Sequence, residues 1–264
     1  GDGYAEFAVG GPGWNVSAGG LKEDGGAVWL FRGSATGPGA APWTSLLGGS
    51  AGANLGWSLA GLGDVNGDGF PDLAVGAPFT SGGVVQVFAG SAGGVATSSS
   101  WQATGCTLGD CSMQLGWSLG AAGDIDGDRS PDLIAGAPAA GANDSGRALA
   151  WLGGSSWLGS TAWSVDGTTA DEQLGGQVAG LGDVDGDGFA DIAAASSWDG
   201  ALGDEGRVEL FNGAGRGPGG VIWSKTSGTT GDYRGWSFAV GDVNADGYDD
   251  LVTTWFGRTE AYTD

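Results

Sequence analysis

Leu55–Pro78 reads LGWSLAGLGDVNGDGFPDLAVGAP, and the pattern returns three times along the chain. The copies are Leu115–Pro138 (LGWSLGAAGDIDGDRSPDLIAGAP), Leu174–Ser197 (LGGQVAGLGDVDGDGFADIAAASS) and Arg234–Phe256 (RGWSFAVGDVNADGYDDLVTTWF). Gly1–Pro12, GDGYAEFAVGGP, is the back half of a fifth. Asp68, Asp128, Asp187 and Asp246 occupy one position of the pattern at spacings of 60, 59 and 59, and Asp2 precedes Asp68 by 66. A fixed period of this length marks a repeat architecture. The repeats run over about 1–54, 55–114, 115–173, 174–233 and 234–264, and are read as one domain over 1–264.

Each repeat contains four strand signals. The first is the LGWSLA stretch, followed by an acidic loop. The second is the DLAVGAP-like apolar run. The third is Gly26–Gly33, Gly83–Gly90, Gly146–Gly153, Gly206–Gly213 and Gly257–Asp264, and the fourth centres on Trp43, Trp101, Trp163 and Trp223. Short strands at even spacing with Gly-rich turns indicate a sandwich, barrel or propeller. A four-strand unit every 60 residues selects the all-β propeller, one antiparallel blade per unit. Strands apolar on both sides fit blades covered on each face by a neighbour. The first repeat lacks strand 1 and the last ends in strand 3. The expectation is therefore an arc of a larger propeller, or a ring whose closing strands lie outside this chain.

The loops carry the chemistry. They place oxygen donors at positions 1, 3, 5 and 9, with a backbone carbonyl at 7. In order these are Asp64, Asn66, Asp68, Phe70 (carbonyl) and Asp72; Asp124, Asp126, Asp128, Ser130 and Asp132; Asp183, Asp185, Asp187, Phe189 and Asp191; and Asp242, Asn244, Asp246, Tyr248 and Asp250. The truncated copy keeps Asp2, Tyr4 and Glu6. Carboxylates this close repel one another unless a hard cation collects them, and six to eight oxygens suit calcium better than magnesium, which keeps its waters. Gly at positions 4 and 6 lets the loop curl. One such loop could be an acidic β-turn, but four in register argue for four to five calcium ions. An EF-hand is excluded: position 12 is Val75, Ala135, Ala194 and Thr253 rather than Glu. Arg129 replaces Gly at position 6 of the second complete loop, and Ala245 replaces Gly at position 4 of the last.

Composition agrees. Gly and Pro total 67 of 264 residues, a level near that of disordered chains, but 13 Trp and 41% hydrophobic residues supply a core. The net charge of −22 excludes nucleic acid and anionic membrane surfaces as partners, since both need basic stripes. The loops explain much of it: with Asp2 and Glu6 they hold 16 of the 31 acids. No apolar run reaches the roughly 18 residues of a membrane span, and no signal peptide is recognisable. Cys106 and Cys111 (CTLGDC) can close a small disulfide loop in an oxidising compartment; free thiols are the alternative. A metal pair is disfavoured by the absence of His and of a second Cys pair.

GDVNGDGFPDLAVGAP resembles the FG-GAP repeat of integrin α-subunits and many secreted bacterial proteins. Gly-Ala-Pro stands at Gly76–Pro78 and Gly136–Pro138, nearly so at Gly10–Pro12, and is lost at Ala195–Ser197. Phe-Gly is replaced by Leu-Gly at Leu55, Leu115 and Leu174, and by Arg234–Gly235. The resemblance implies a propeller of up to seven blades, calcium in the strand 1–2 loops, and partners on the opposite face. It also implies a secreted or cell-surface setting, with further repeats or domains in the parent protein.

Three functions compete: an adhesion or scaffold module, a lectin, and a non-catalytic domain of a larger secreted enzyme. Without His, a Ser-His-Asp triad is impossible, and the carboxylates are better used as cation ligands than as acid–base pairs. The expectation is a non-enzyme. Trp57, Trp117 and Trp236 on strand 1, like the four strand-4 tryptophans, recur with the period and read as packing. Trp14 and Trp198 break it. They lie in 2–3 loops, on the face opposite the acidic loops, and mark a candidate surface for a protein or glycan partner. Asn15-Val-Ser17 and Asn143-Asp-Ser145 match glycosylation sequons.

Overall fold

The computed structural model describes residues 4–198, 203–215, 217–245, 249–255 and 258–262. It is built of antiparallel sheets whose strands follow one another in space as in sequence. The first sheet is β1 (Phe7–Gly11), β2 (Ala27–Phe31) and β3 (Thr44–Leu47). The second is β4 (Leu59–Gly63), β5 (Asp72–Ala77), β6 (Val84–Phe88) and β7 (Trp101–Thr104). The third is β8 (Ser118–Gly123), β9 (Asp132–Ala137), β10 (Arg147–Trp151) and β11 (Thr161–Asp166). The fourth is β12 (Gln177–Gly182), β13 (Asp191–Ser196), β14 (Arg207–Phe211) and β15 (Val221–Thr226). The fifth is β16 (Ser237–Gly241), β17 (Asp250–Trp255) and β18 (Arg258–Tyr262). Among the described residues the expected strand inventory is present, three strands in each end sheet and four in each sheet between.

Burial explains the apolar second strands. All six residues of β5, β9 and β13 are buried, as expected for strands covered on both faces. The core lies between successive sheets: Leu133, Ala135 and Trp151 of the third pack with Val85, Val87 and Ala74 of the second. The first strands form a row, with β4 against β8, β8 against β12, and β12 against β16. Backbone contact spaces the sheets there. A Cβ on Gly76 would lie 2.2 Å from the Gly116 carbonyl oxygen, and one on Gly136 would lie 1.9 Å from that of Gly175. Only glycine permits such an approach. The hydroxyls of Ser58 and Ser118 donate to the same two carbonyls.

The first strand starts later than its sequence pattern. Leu55, Leu115 and Leu174 form parallel bridges to Gly26, Gly83 and Gly146 of the preceding sheet. The segment before each is stapled to the preceding 2–3 loop. Gly52, Asn54 and Leu55 donate backbone N–H groups to Glu23, Asp24 and Gly25; Asp171, Gln173 and Leu174 donate to Asn143, Asp144 and Ser145; Gly231, Tyr233 and Arg234 donate to Gly203, Asp204 and Glu205. The second crossover differs: Leu115 donates to Gly82, while Cys106 donates to Ser81. Cys106 and Cys111 are disulfide-bonded there, and the Asp110 carboxylate accepts the Gly141 N–H at 3.0 Å. The disulfide therefore closes the loop that replaces the missing staple bonds.

Candidate metal centre

Each acidic loop is the hairpin turn between a first and a second strand, so the ladder fixes both of its ends. In the loop from Asp64 to Asp72 the side chain of position 1 collects backbone donors: Asp64 accepts from Asp68 N at 3.0 Å and from Gly69 N at 2.7 Å. Asn66 accepts from Asp68 N, and Asp68 from Phe70 N. The loop from Asp183 to Asp191 repeats this pattern, with Asp183 accepting from Asp187 N and Gly188 N and Asp187 accepting from Phe189 N. In the loop from Asp124 to Asp132, Asp124 accepts from Gly127 N and Arg129 N, and Asp128 from Ser130 N. Backbone amides thus hold the side chains at positions 1, 3 and 5 of these three loops in place.

The result is convergence. One carboxylate oxygen from each of Asp124, Asp126 and Asp128 lies within 4.8 Å of the other two, and the same holds for Asp183, Asp185 and Asp187. Burial and the charges of Asp128 and Asp124 raise the Asp126 carboxyl above its ordinary value. A donor set of clustered anionic oxygens on a Gly-turned loop fits a hard divalent ion. Position 6 takes a left-handed φ in the first three complete loops, 91° at Gly69, 74° at Arg129 and 94° at Gly188, so Arg129 carries strain that glycine avoids. Ala245 at position 4 is left-handed too, at φ 63°.

Position 9 does something the spacing does not reveal. Asp72, Asp132, Asp191 and Asp250 are buried. Asp132 accepts the Ile125 and Gly153 N–H groups, both at 2.7 Å. Asp72 accepts from Val65 and Gly90, and Asp191 from Val184 and Gly213. Asp250 accepts from Val243 at 2.8 Å. This carboxylate ties the loop to the turn after the third strand. Burial pushes Asp132 up to about 7 and raises Asp72 and Asp191, against the pull of the same hydrogen bonds.

The predicted ligands of the last loop are partly outside the described residues: Asp246 and Tyr248 lie there, as does Asp2 of the truncated copy. Tyr4 and Glu6 are described and exposed. On the opposite face, Trp14 is 55% and Trp198 is 42% exposed. Trp14 meets the Trp29 ring edge-on at 5.2 Å, and Trp198 packs with Tyr233 at 5.0 Å and Trp236 at 6.2 Å. The strand-4 tryptophans Trp43, Trp101, Trp163 and Trp223 are partly buried against the core, as their packing reading requires, whereas Trp57 and Trp236 of the first-strand set are 39% and 49% exposed. Trp57 and Trp117 stand just before β4 and β8 rather than within them, and Trp57 remains 39% exposed while meeting Phe79 edge-on at 4.9 Å and Trp117 at a tilt at 4.8 Å.

The chain matches the FG-GAP repeat family over residues 55–95 and 115–151, and the FG-GAP-like repeat family over residues 183–253. It belongs to the FG-GAP repeat family. Among similar proteins, integrin alpha-7 of Rattus norvegicus is 41% identical over 139 residues, which are 51% of this chain and 11% of the relative. Integrin alpha-3 of Cricetulus griseus is 35% identical over 136 residues, 51% of this chain and 13% of the relative. Phosphatidylinositol-glycan-specific phospholipase D of Bos taurus is 36% identical over 174 residues, 59% and 20% respectively. The chain therefore spans a fifth or less of the length of these relatives.

Proposed function

We propose that this chain is a calcium-binding β-propeller domain over residues 1–264. It serves a secreted or cell-surface protein as a non-catalytic adhesion or scaffold module. The observation that carries the reading is the loop geometry, in which the same backbone-to-carboxylate bonds recur and gather three carboxylates twice. Asp64, Asn66, Asp68 and Asp72, their counterparts at 124–132 and 183–191, and Asp242, Asn244, Asp246 and Asp250 hold the ions, with backbone carbonyls at Phe70, Ser130, Phe189 and Tyr248. Asp2, Tyr4 and Glu6 supply part of a fifth site. The packing of the first strands in a row, with the second to fourth strands following in order within each sheet, supports the propeller reading. Calcium has a mechanical task here: it neutralises acids clustered at each hairpin turn, so the first two strands of a blade can meet.

Calorimetric titration with calcium tests this. At least four ions should bind; one or none removes the basis of the reading. Asp128→Ala should abolish one site and leave the others.

A glycan ligand is the second reading. The exposed tryptophans Trp14, Trp198 and Trp236 favour it, because flat aromatic faces suit sugar rings. Saturable quenching of tryptophan fluorescence by a sugar, lost in Trp198→Ala, would support it.

A further inference from the structure

We propose that the loops 124–132 and 183–191 bind their cations as a coupled pair, joined by the peptide unit between Phe189 and Ala190. The neighbouring pair, the loops 64–72 and 124–132, is insulated by Pro131. The proposal deepens the calcium reading and rests on it.

Successive acidic loops touch in space, and position 8 makes the contact. A Cβ on Gly63 would lie 3.0 Å from Pro131 Cγ, and one on Gly123 would lie 2.6 Å from Ala190 Cβ. Gly63 and Gly123 each stand just before position 1 of their loop. Pro131 and Ala190 therefore occupy equivalent places, each seated at the entrance of the preceding loop. They differ in one group. The Ala190 N–H donates to the Asp124 carbonyl at 2.9 Å, whereas proline has no N–H to give.

That bond belongs to an unbroken chain between ligand positions. The Ala190 N–H shares its peptide unit with the Phe189 carbonyl, the oxygen proposed for position 7. The Asp124 carbonyl shares its peptide unit with the Ile125 N–H, which donates to the Asp132 carboxylate at 2.7 Å. Two peptide units and two hydrogen bonds thus connect position 7 of one loop with position 9 of the other. Hydrogen-bonded peptide units in series polarise one another, so each bond strengthens the next. Holding the Phe189–Ala190 unit still also fixes the backbone of Asp124, at position 1. Ordering one loop then removes part of the entropy cost of ordering the other. Both effects favour filling the two loops together.

A second contact is common to both pairs and does not distinguish them. From the turn after the third strand, Ala214 donates to the Ile125 carbonyl at 2.9 Å and Gly154 to the Val65 carbonyl at 3.3 Å. The ring of Phe189 adds to the coupled pair alone: a Cβ on Gly127 would fall 2.7 Å from it, and Ser130 at the equivalent position has no ring. The contrast between the pairs thus lies at positions 7 and 8. Its size is that of about one backbone hydrogen bond, roughly fivefold in affinity.

The test is a calcium titration of isotope-labelled protein followed by NMR. The amides of Gly69, Arg129 and Gly188 report the three loops separately. Asp185→Ala empties the loop 183–191 while leaving the Phe189 N–H its partner on Asp187. It should weaken calcium at the loop 124–132 by about fivefold. Asp126→Ala, by contrast, should change the loop 64–72 by less than about twofold. In an Ala190→Pro background, which carries the residue found at Pro71 and Pro131, the effect of Asp185→Ala on the loop 124–132 should also fall below about twofold. Equal dependence in the two pairs overturns the proposal, as does a dependence that Ala190→Pro leaves intact. If Ala190→Pro does not fold, hydrogen exchange at the Ala190 amide of the Asp185→Ala protein decides. Filling the loop 124–132 should slow it at least about threefold, and unchanged exchange overturns the proposal. Independent affinities at loops that do shift with calcium refute the coupling alone, whereas no calcium shift at any loop refutes the calcium reading beneath it.

Discussion

Asp132→Ala isolates the part of the acidic loop that works without any cation. The side chain is fully buried, and its two oxygens accept the Ile125 and Gly153 N–H groups, both at 2.7 Å. Alanine leaves two buried donors unmet. Each costs about 1–3 kcal/mol. Part of that is returned, because a carboxyl pushed up to about 7 by burial is an expensive group to keep ionised. The net expectation is a loss of about 2–4 kcal/mol, which with a urea slope of about 1–3 kcal/mol per molar moves the midpoint down by about 1–2 M. The assay is urea denaturation followed by tryptophan fluorescence in excess chelator. Asp132→Asn, which keeps one acceptor, should fall between wild type and alanine. A shift below about 0.3 M for the alanine variant would refute the reasoning, since the carboxylate would then not be anchoring the two strands.

In calcium, the stabilisation should be large: at about 1 mM ion and a dissociation constant near 0.1 mM each site contributes roughly 1.4 kcal/mol, so chelation should lower the melting temperature clearly in a thermal scan. Without calcium, Asp132, Asp72 and Asp191 have folded values above their unfolded ones, so their ionisation opposes folding. The contribution of these three groups to stability should be complete below about pH 3.8 and be lost as pH rises towards about 7, and urea midpoints that rise between pH 4 and 7 in chelator would contradict it. Arg129→Gly removes a left-handed non-glycine residue and should stabilise by up to about 1 kcal/mol, read as a higher urea midpoint. Gly136→Ala places a methyl against the Gly175 carbonyl and should cost at least about 1–3 kcal/mol; a neutral result would mean the sheets can separate. Reducing Cys106–Cys111 should cost up to about 2 kcal/mol by loop entropy, with increased protease cutting near Gly105–Gly109 as the readout.

The repeat carried most of the architecture, because a strand buried on both faces must be apolar throughout and an acidic hairpin needs its glycines. The strand order and the missing end strands follow from aligning Leu55, Leu115 and Leu174. Other features depend on neighbours that a single repeat does not show. Leu55 looks like the start of β4, yet it bridges to Gly26, since the crossover hands over its first residues to the sheet it leaves. The two jobs of Asp72 and Asp132 are invisible in the spacing, because their donors at Gly90 and Gly153 belong to a turn about 20 residues away. Glu172 occupies a place held by Ala53 and Met113 in other repeats, and nothing local indicates that it is buried. It is satisfied there by the Thr168 and Thr169 N–H groups, the Ser196 hydroxyl and Arg207. The exposure of Trp57 also escaped periodicity, which reports recurrence and not which side of a ring is covered.

The backbone staples between each crossover and the preceding 2–3 loop bear on how the chain would respond to force. Tension applied at the two ends reaches each sheet through its crossover, and there it meets bonds such as Asn54 to Asp24 and Leu55 to Gly25. Several of these must break together before the next strand can peel. The molecule should accordingly yield in discrete steps of about one repeat, each with its own rupture peak. At the second crossover the Cys106–Cys111 link locks part of the contour, so that step should release less length until the link is reduced.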